Sequence, residues 1–186
     1  MKTSLKMMAL MLGLVLGACT SNQGSVEERR QVVQDMKTEV LETLYRNKPD
    51  VRTQLPDASG YAVFSNANVN LIFASVGGGY GLLRDNRSGQ DIYMKMGELG
   101  LGIGAGIKDF RIVMVFHTDD ALERFMENGV AFGAQADAAA VADEQGVAFG
   151  GEITVDNITI YQMTQSGLAL QATIKGTRFW EDDELN

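Results

Sequence analysis

Apolar residues along this chain keep two different rhythms. From Val26 to Asn47, Val33, Met36, Val40, Leu41 and Leu44 recur at intervals that place them on one stripe of an amphipathic helix. The opposite face mixes Arg29, Arg30, Lys37 and Arg46 with Glu27, Glu28, Asp35, Glu39 and Glu42. That near balance suits a solvated surface, because membrane-inserting helices are usually rich in Lys and Arg on the polar face. Beyond Pro56 the period shortens to two. Alternation predicts strands at 60–65, 69–76, 79–84, 91–95, 99–107, 110–116, 147–155, 157–163 and 168–175. Turn chemistry separates them at Asn86 to Gly89, Lys108-Asp109, Asp156-Asn157 and Ser166-Gly167. Pro49 and Pro56 are the only prolines, so nothing in the strand region removes a ladder donor. Connections this short favour antiparallel neighbours. A second helix is expected from Asp119 to Asn128, with Thr118, Asp119 or Asp120 as cap, Leu122, Phe125 and Met126 on its buried side, and Gly129 past its end. The pattern is that of an α+β domain: a strongly curved, barrel-like antiparallel sheet of about 8–10 strands, an N-terminal amphipathic helix and one or two further short helices.

Two stretches carry unusually small residues on one face. In "LGLGIGAGI", residues 99–107, Gly100, Gly102, Gly104 and Gly106 alternate with apolar residues and Ala105. In 134–144 the even positions are nearly all alanine, which reads as strand by alternation and as helix by propensity. Glycine in a strand interior costs roughly 0.5–1 kcal/mol relative to alanine, so four forgo about 2–4 kcal/mol of a typical total of 5–15. A water-facing strand would do better with Thr or Lys. Glycine is informative where another body must come close. That body is a helix packed on the sheet, a strand brought near by curvature, or an apolar ligand such as an acyl chain. Phosphate binding fails on spacing, since Ala105 and Ile107 occupy the places where G-x-G-x-x-G needs its third glycine.

The first 18 residues read as an address. Lys2 and Lys6 precede "MMALMLGLVLGA", an apolar run too short to span a bilayer. The run ends in Leu16-Gly17-Ala18-Cys19, which resembles the lipobox of bacterial lipoproteins, in which the cysteine becomes the acylated first residue of the mature chain. Cys19 is the only cysteine, which rules out an internal disulfide. The organisation expected is a signal peptide at 1–18, a lipidated cysteine and tether at 19–25, a helical segment at 26–56, and a domain at 57–186 that forms one globular unit with it. Several acyl chains would hold the protein on a membrane almost permanently, each buried methylene adding about 0.8 kcal/mol. Thr20, rather than Asp, follows the cysteine; by the lipoprotein sorting pattern this implies the periplasmic face of the outer membrane in a Gram-negative cell. Without its first 18 residues the chain has 14 basic and 24 acidic side chains. So acidic a chain is a poor partner for nucleic acid or, by bulk charge, for anionic lipid.

Several segments together resemble the SYLF domain, found in eukaryotic membrane-trafficking and actin-patch proteins and in many bacterial envelope proteins. They are "GYAVF" at 60–64, "GGGYGLL" at 77–83, the glycine run, "KDFRIVMVF" at 108–116, "ALERF" at 121–125, "GAQADAAA" at 133–140, "SGLALQATIKGT" at 166–177 and Asn186. The resemblance covers 57–186 and implies a non-enzymatic module that binds phospholipid or another acyl lipid, without cofactor or metal. Eukaryotic members that recognise phosphoinositides use a basic amphipathic start, which this acidic chain lacks. "YMKM" at 93–96 and "ADEQG" at 142–146 also depart from the family pattern.

The remaining chemistry is sparse. His117, the sole histidine, follows an apolar strand and has no nucleophile with recognisable context. Helix capping accounts for Asp119 and Asp120. Phe179-Trp180 suits the closing of one end of a core or a membrane interface, and the acids that follow favour the core. Lys108, Arg111, Lys175 and Arg178 are the basic candidates for a lipid head group, beside the glycine face. The leading expectation is a lipid-binding envelope lipoprotein. The alternative is an envelope scaffold in which an exposed strand edge or the acidic surface meets a protein partner and lipid serves only as anchor.

Overall fold

The computed structural model of the chain describes residues 24–71, 74–101, 106–129, 152–164, 167–168 and 177–186. Helix α1 runs over Val26–Asn47 and starts at a reciprocal cap: Glu28 N–H donates to the Ser25 hydroxyl and Ser25 N–H to the Glu28 carboxylate. Its buried residues are the five apolar ones of the stripe. Helix α2, Val51–Asp57, falls at the end of the helical segment expected at 26–56, without bounds of its own in the sequence, because seven residues with Pro56 inside them are too few for a period to show. Asn86 ties down its C-terminal end, donating to the carbonyls of Leu55 (2.7 Å) and Ala58 (2.9 Å).

Eight strands follow: β1 Gly60–Leu71, β2 Ala74–Asp85, β3 Gln90–Leu101, β4 Gly106–Phe116, β5 Glu152–Val155, β6 Ile158–Thr164, β7 Gly167–Leu168 and β8 Thr177–Glu181. Helix α3, Asp119–Asn128, lies between β4 and β5, capped by the Thr118 hydroxyl and ended by Gly129 at φ 58°. All pairings are antiparallel, in the order β5-β6-β4-β1-β2-β3-β8, with β7 on β6. The β5–β6 turn is Asp156-Asn157, both at positive φ as a tight hairpin requires.

Strand boundaries differ from the reading by period. The predicted strand at 99–107 contains the end of β3 and the start of β4, with 102–105 outside the described residues. Apolar alternation simply continues through a chain reversal, and β1 and β2 stand between the two strands. Lys108-Asp109, read as a turn, lies within β4, where the ladder to Asn68 and Ala67 runs straight through. The predicted strands 60–65 and 69–76 are replaced by β1 and the start of β2, because polar residues from Ser65 to Asn70 hid the continuity. β8 had not been recognised. The ambiguous segment 134–144 lies outside the described residues, as do 147–151 and 169–175.

The sheet is strongly curled. Phe64 on β1 and Phe179 on β8 are three strands apart, roughly 14 Å in a flat sheet, yet their ring centroids are 4.6 Å apart. Curvature with these side chains on the inside closes that gap. Between them β2 has Gly79 and Gly81, where a Cβ would meet Met96 Cγ at 2.8 Å and Phe64 Cδ1 at 2.5 Å respectively, as well as the carbonyls of Ser65 and Val63. The concave face is closed by α3, with Phe125 stacked between Phe116 (5.0 Å) and Phe179 (5.4 Å). The convex face buries Val63, Leu82, Val113, Val115 and Tyr161 under α1 and α2.

Candidate functional site

Helix α1 covers only part of the convex face. Successive strand residues face opposite sides, so the row beyond Leu82 is read directly from the pairing: Ser65, Tyr80, Lys95 and Trp180 stand side by side on β1, β2, β3 and β8. Tyr80 is 40% exposed and Trp180 44%. Lys95 stands between them, its ammonium 2.9 Å from the buried carboxylate of Asp182. The next row is Ala67, Gly78, Gly97 and Arg178.

This second row is a floor almost without side chains. A methyl group on Gly97 would come 3.1 Å from Trp180 Cη2, so the indole lies down over that glycine. At Gly78 nothing comes nearer than Met96 O at 4.0 Å. Arg178 is exposed, and no carboxylate pairs with it among the described residues. The arrangement is two amphipathic rings at the border of a low, open surface, with one neutralised cation between them and one free cation beside them. Tyr and Trp bring a large apolar body and a polar tip, the combination favoured at membrane–water boundaries.

The basic residues singled out from the sequence are not gathered into one cluster. Arg111 and Arg178 are both at convex-face positions, but on β4 and β8, with β1, β2 and β3 between them. Lys108 pairs with Asn68, at a concave-face position. Gly100 and Gly106 pair with Ser75 and Asn70, at concave-face positions that continue the line of Gly77, Gly79 and Gly81. Gly102, Gly104, Lys175 and Cys19 lie outside the described residues. Tyr80 and Lys95 had not been singled out, although a lone aromatic inside "GGGYG" was a visible signal. Phe179 and Trp180 divide: Phe179 closes the core and Trp180 faces outward. His117 Nε2 is 2.7 Å from the hydroxyl of Thr159, which in turn is 2.8 Å from that of Thr154, a link that staples β4 to the β5–β6 hairpin.

The start of α1 is also fixed in place. Arg29 of α1 pairs with Glu184 (2.6 Å) and Arg30 Nε donates to Leu185 O (2.8 Å), so the start of α1 lies against the turn that follows β8 and Trp180. Among the described residues no helix is long and apolar enough to cross a membrane.

Comparison with known proteins adds two findings. Residues 97–186 match the family Ysc84, described as Las17-binding protein actin regulator. Over 167 residues the chain is 28% identical to Beta cell expansion factor A of Aeromonas veronii; the match covers 88% of this chain and 61% of that protein. The chain thus spans about three fifths of that relative's length.

Proposed function

Because residues 97–186 match the Ysc84 (SYLF) family, we propose that the chain is a non-enzymatic, acylated lipoprotein of the bacterial cell envelope whose domain binds lipid. In this reading Cys19 is the anchor, and the Tyr80–Trp180 row rests on a bilayer, at the periplasmic face of the outer membrane in a Gram-negative cell. The observation that carries it is the exposure of those two rings in one row above the glycine floor. Tether length supports it: from Cys19 to Gly24 the chain can reach no more than about 18 Å. An anchor that short, leaving beside the turn after β8, keeps the platform near the surface to which the acyl chains hold the protein.

The acidity of the chain sets the kind of contact. Glu181, Asp183 and Glu184 follow Trp180, so attraction to anionic lipid is weak and the rings and Arg178 must supply the adhesion. Residues 20–186, which lack the anchor, should float with vesicles of neutral phospholipid. Tyr80→Ser with Trp180→Ser should abolish flotation while the melting temperature moves little. Equal flotation of the double variant, or none by the parent on neutral and anionic vesicles alike, would overturn the proposal.

A further inference from the structure

The β3 edge of the sheet holds a groove that the convex platform does not use. β8 pairs with β3 only from Met94 to Glu98, so Gln90 to Tyr93 run on past it. The backbone of Tyr93 is closed by the chain's own end. Its N–H donates to Asn186 Oδ1 (2.8 Å), and its C=O accepts from Asn186 Nδ2 (2.9 Å) and from Asp182 N–H (2.9 Å). The Asn186 amide thus stands in for one residue of a neighbouring strand. Ladder groups on one edge recur at every second residue, so the N–H and C=O of Asp91 face the same way, and no hydrogen bond closes them among the described residues.

Around this open backbone pair is a groove of about 720 Å³, within the roughly 300–1,000 Å³ usual for ligand pockets. Ile92, Tyr93 and Leu185 give it apolar walls. Arg30 also lines it, its guanidinium donating to Leu185 O and lying over the Tyr93 ring, and the two carboxylates Glu27 and Glu181 outnumber this one cation on the rim. Glu27 has only a loose contact with Arg30, at 3.7 Å, and its side chain is 85% exposed; Glu181 has no ion pair among the described residues. The Asp91 carboxylate does not add to the rim, since Gln34, Lys37 and Arg84 hold it on the α1 side. An unpaired strand edge with apolar walls and an acidic rim is complementary to an extended chain with cationic side chains.

We infer that this groove docks an extended basic segment of a partner protein, which adds a strand at the β3 edge. The segment's backbone bonds to Asp91, and its Lys or Arg side chains meet Glu27 and Glu181. The inference uses neither Tyr80 nor Trp180, so it stands or falls separately from lipid binding.

The test uses the full chain in detergent and the fluorescent peptide acetyl-Ser-Lys-Val-Lys-Ser-amide, followed by fluorescence anisotropy at low salt. Saturable binding is expected, weakened at least tenfold by Glu27→Lys with Glu181→Lys, two exposed changes that leave the melting temperature in place. Two further peptides keep the charge but are N-methylated, one on both Lys amides and one on the Val amide. A strand meets the sheet along one edge, so one of the two should lose binding at least tenfold and the other keep it. Undiminished binding of both methylated peptides would reduce the contact to charge alone and overturn the inference. So would indifference to charge reversal, or no saturable binding.

Discussion

Gly78 and Gly79 are neighbours in β2 and face opposite sides of the sheet, and the contrast between them separates two uses of one residue. On the concave side Gly79 and Gly81 have no room for a methyl group, because β1, the Met96 side chain and the Phe64 ring come up against the main chain. On the convex side a methyl on Gly78 would meet nothing closer than 4.0 Å. The concave glycines permit the curl that brings Phe64 to Phe179. The convex ones, Gly78 and Gly97, leave a low surface between exposed rings. Absent side chains shape the core on one face and clear a platform on the other.

Substitution should expose this difference most plainly at Gly81. Gly81→Val forces the new atoms into the Val63 carbonyl and the Phe64 ring, and should cost about 3 kcal/mol, a fall of roughly 6–12 °C in melting temperature. A Gly81→Val protein that melted like the parent would mean that close approach does not explain the concave glycines.

Acid should act next at two carboxylates: Asp85 at a concave-face position at the end of β2, where Arg87 links it to α3, and Asp91 under α1 on the convex side. The Asp85 carboxyl is held below the ordinary carboxylate range chiefly by hydrogen bonds from Arg87, which outweigh its burial. At Asp91 burial pushes the pKa up, but hydrogen bonds from Gln34 and Arg84 and the charges of Lys37 and Arg84 together bring it below the ordinary value. Both folded-state values are thus depressed. Between the folded and unfolded values the unfolded chain binds more protons, so this stabilisation is fully present above the ordinary Asp value of about 3.9. It is lost as pH falls through the folded values. Melting temperature should therefore be insensitive to these groups from pH 7 to 5 and drop below about pH 4; Asp91→Asn should flatten part of that drop and loosen α1 from β2 and β3. A drop centred between pH 6 and 5 would contradict the assignment.

The smallest stability effects belong to the platform. Gly78→Ala should change stability by no more than about 0.5 kcal/mol, since open space and a lower backbone entropy cost both favour alanine. Gly97→Ala should displace only the Trp180 ring, visible as a change in its emission with the melting temperature almost unmoved. If Gly78→Ala destabilised as much as Gly79→Ala in paired melts, the distinction between the faces would collapse.

Helices α1 and α3 were legible, α1 by its period and α3 by its period together with the caps Thr118 and Gly129, whereas α2 is too short to show a period. The curl of the sheet was also legible in kind, as glycine on one face. The close approach that the structure describes is at Gly79 and Gly81, while Gly102 and Gly104 lie outside the described residues, and only the register shows which strands a glycine lies between. The length of β1 was hidden by Ser65 to Asn70. Asn66 is 1% exposed, and its amide donates to Glu98 at 3.0 Å, two strands away across β2, a long-range satisfaction that no local pattern announces. Trp180 was assigned with Phe179 to the core, although strand parity alone turns adjacent residues to opposite faces once β8 is recognised. Tyr80 and Trp180 are far apart in sequence, so their common row needed the pairing.

Trp180 is the only tryptophan, so the platform carries its own reporter. Emission of residues 20–186 titrated with neutral phospholipid vesicles, some with bromine on the acyl chains, tests the lipid contact without any substitution. A shift to shorter wavelength, with quenching by the brominated chains, is the expected result. An unchanged, unquenched spectrum under conditions where the protein floats with the vesicles would place lipid elsewhere and contradict the assignment of the convex face.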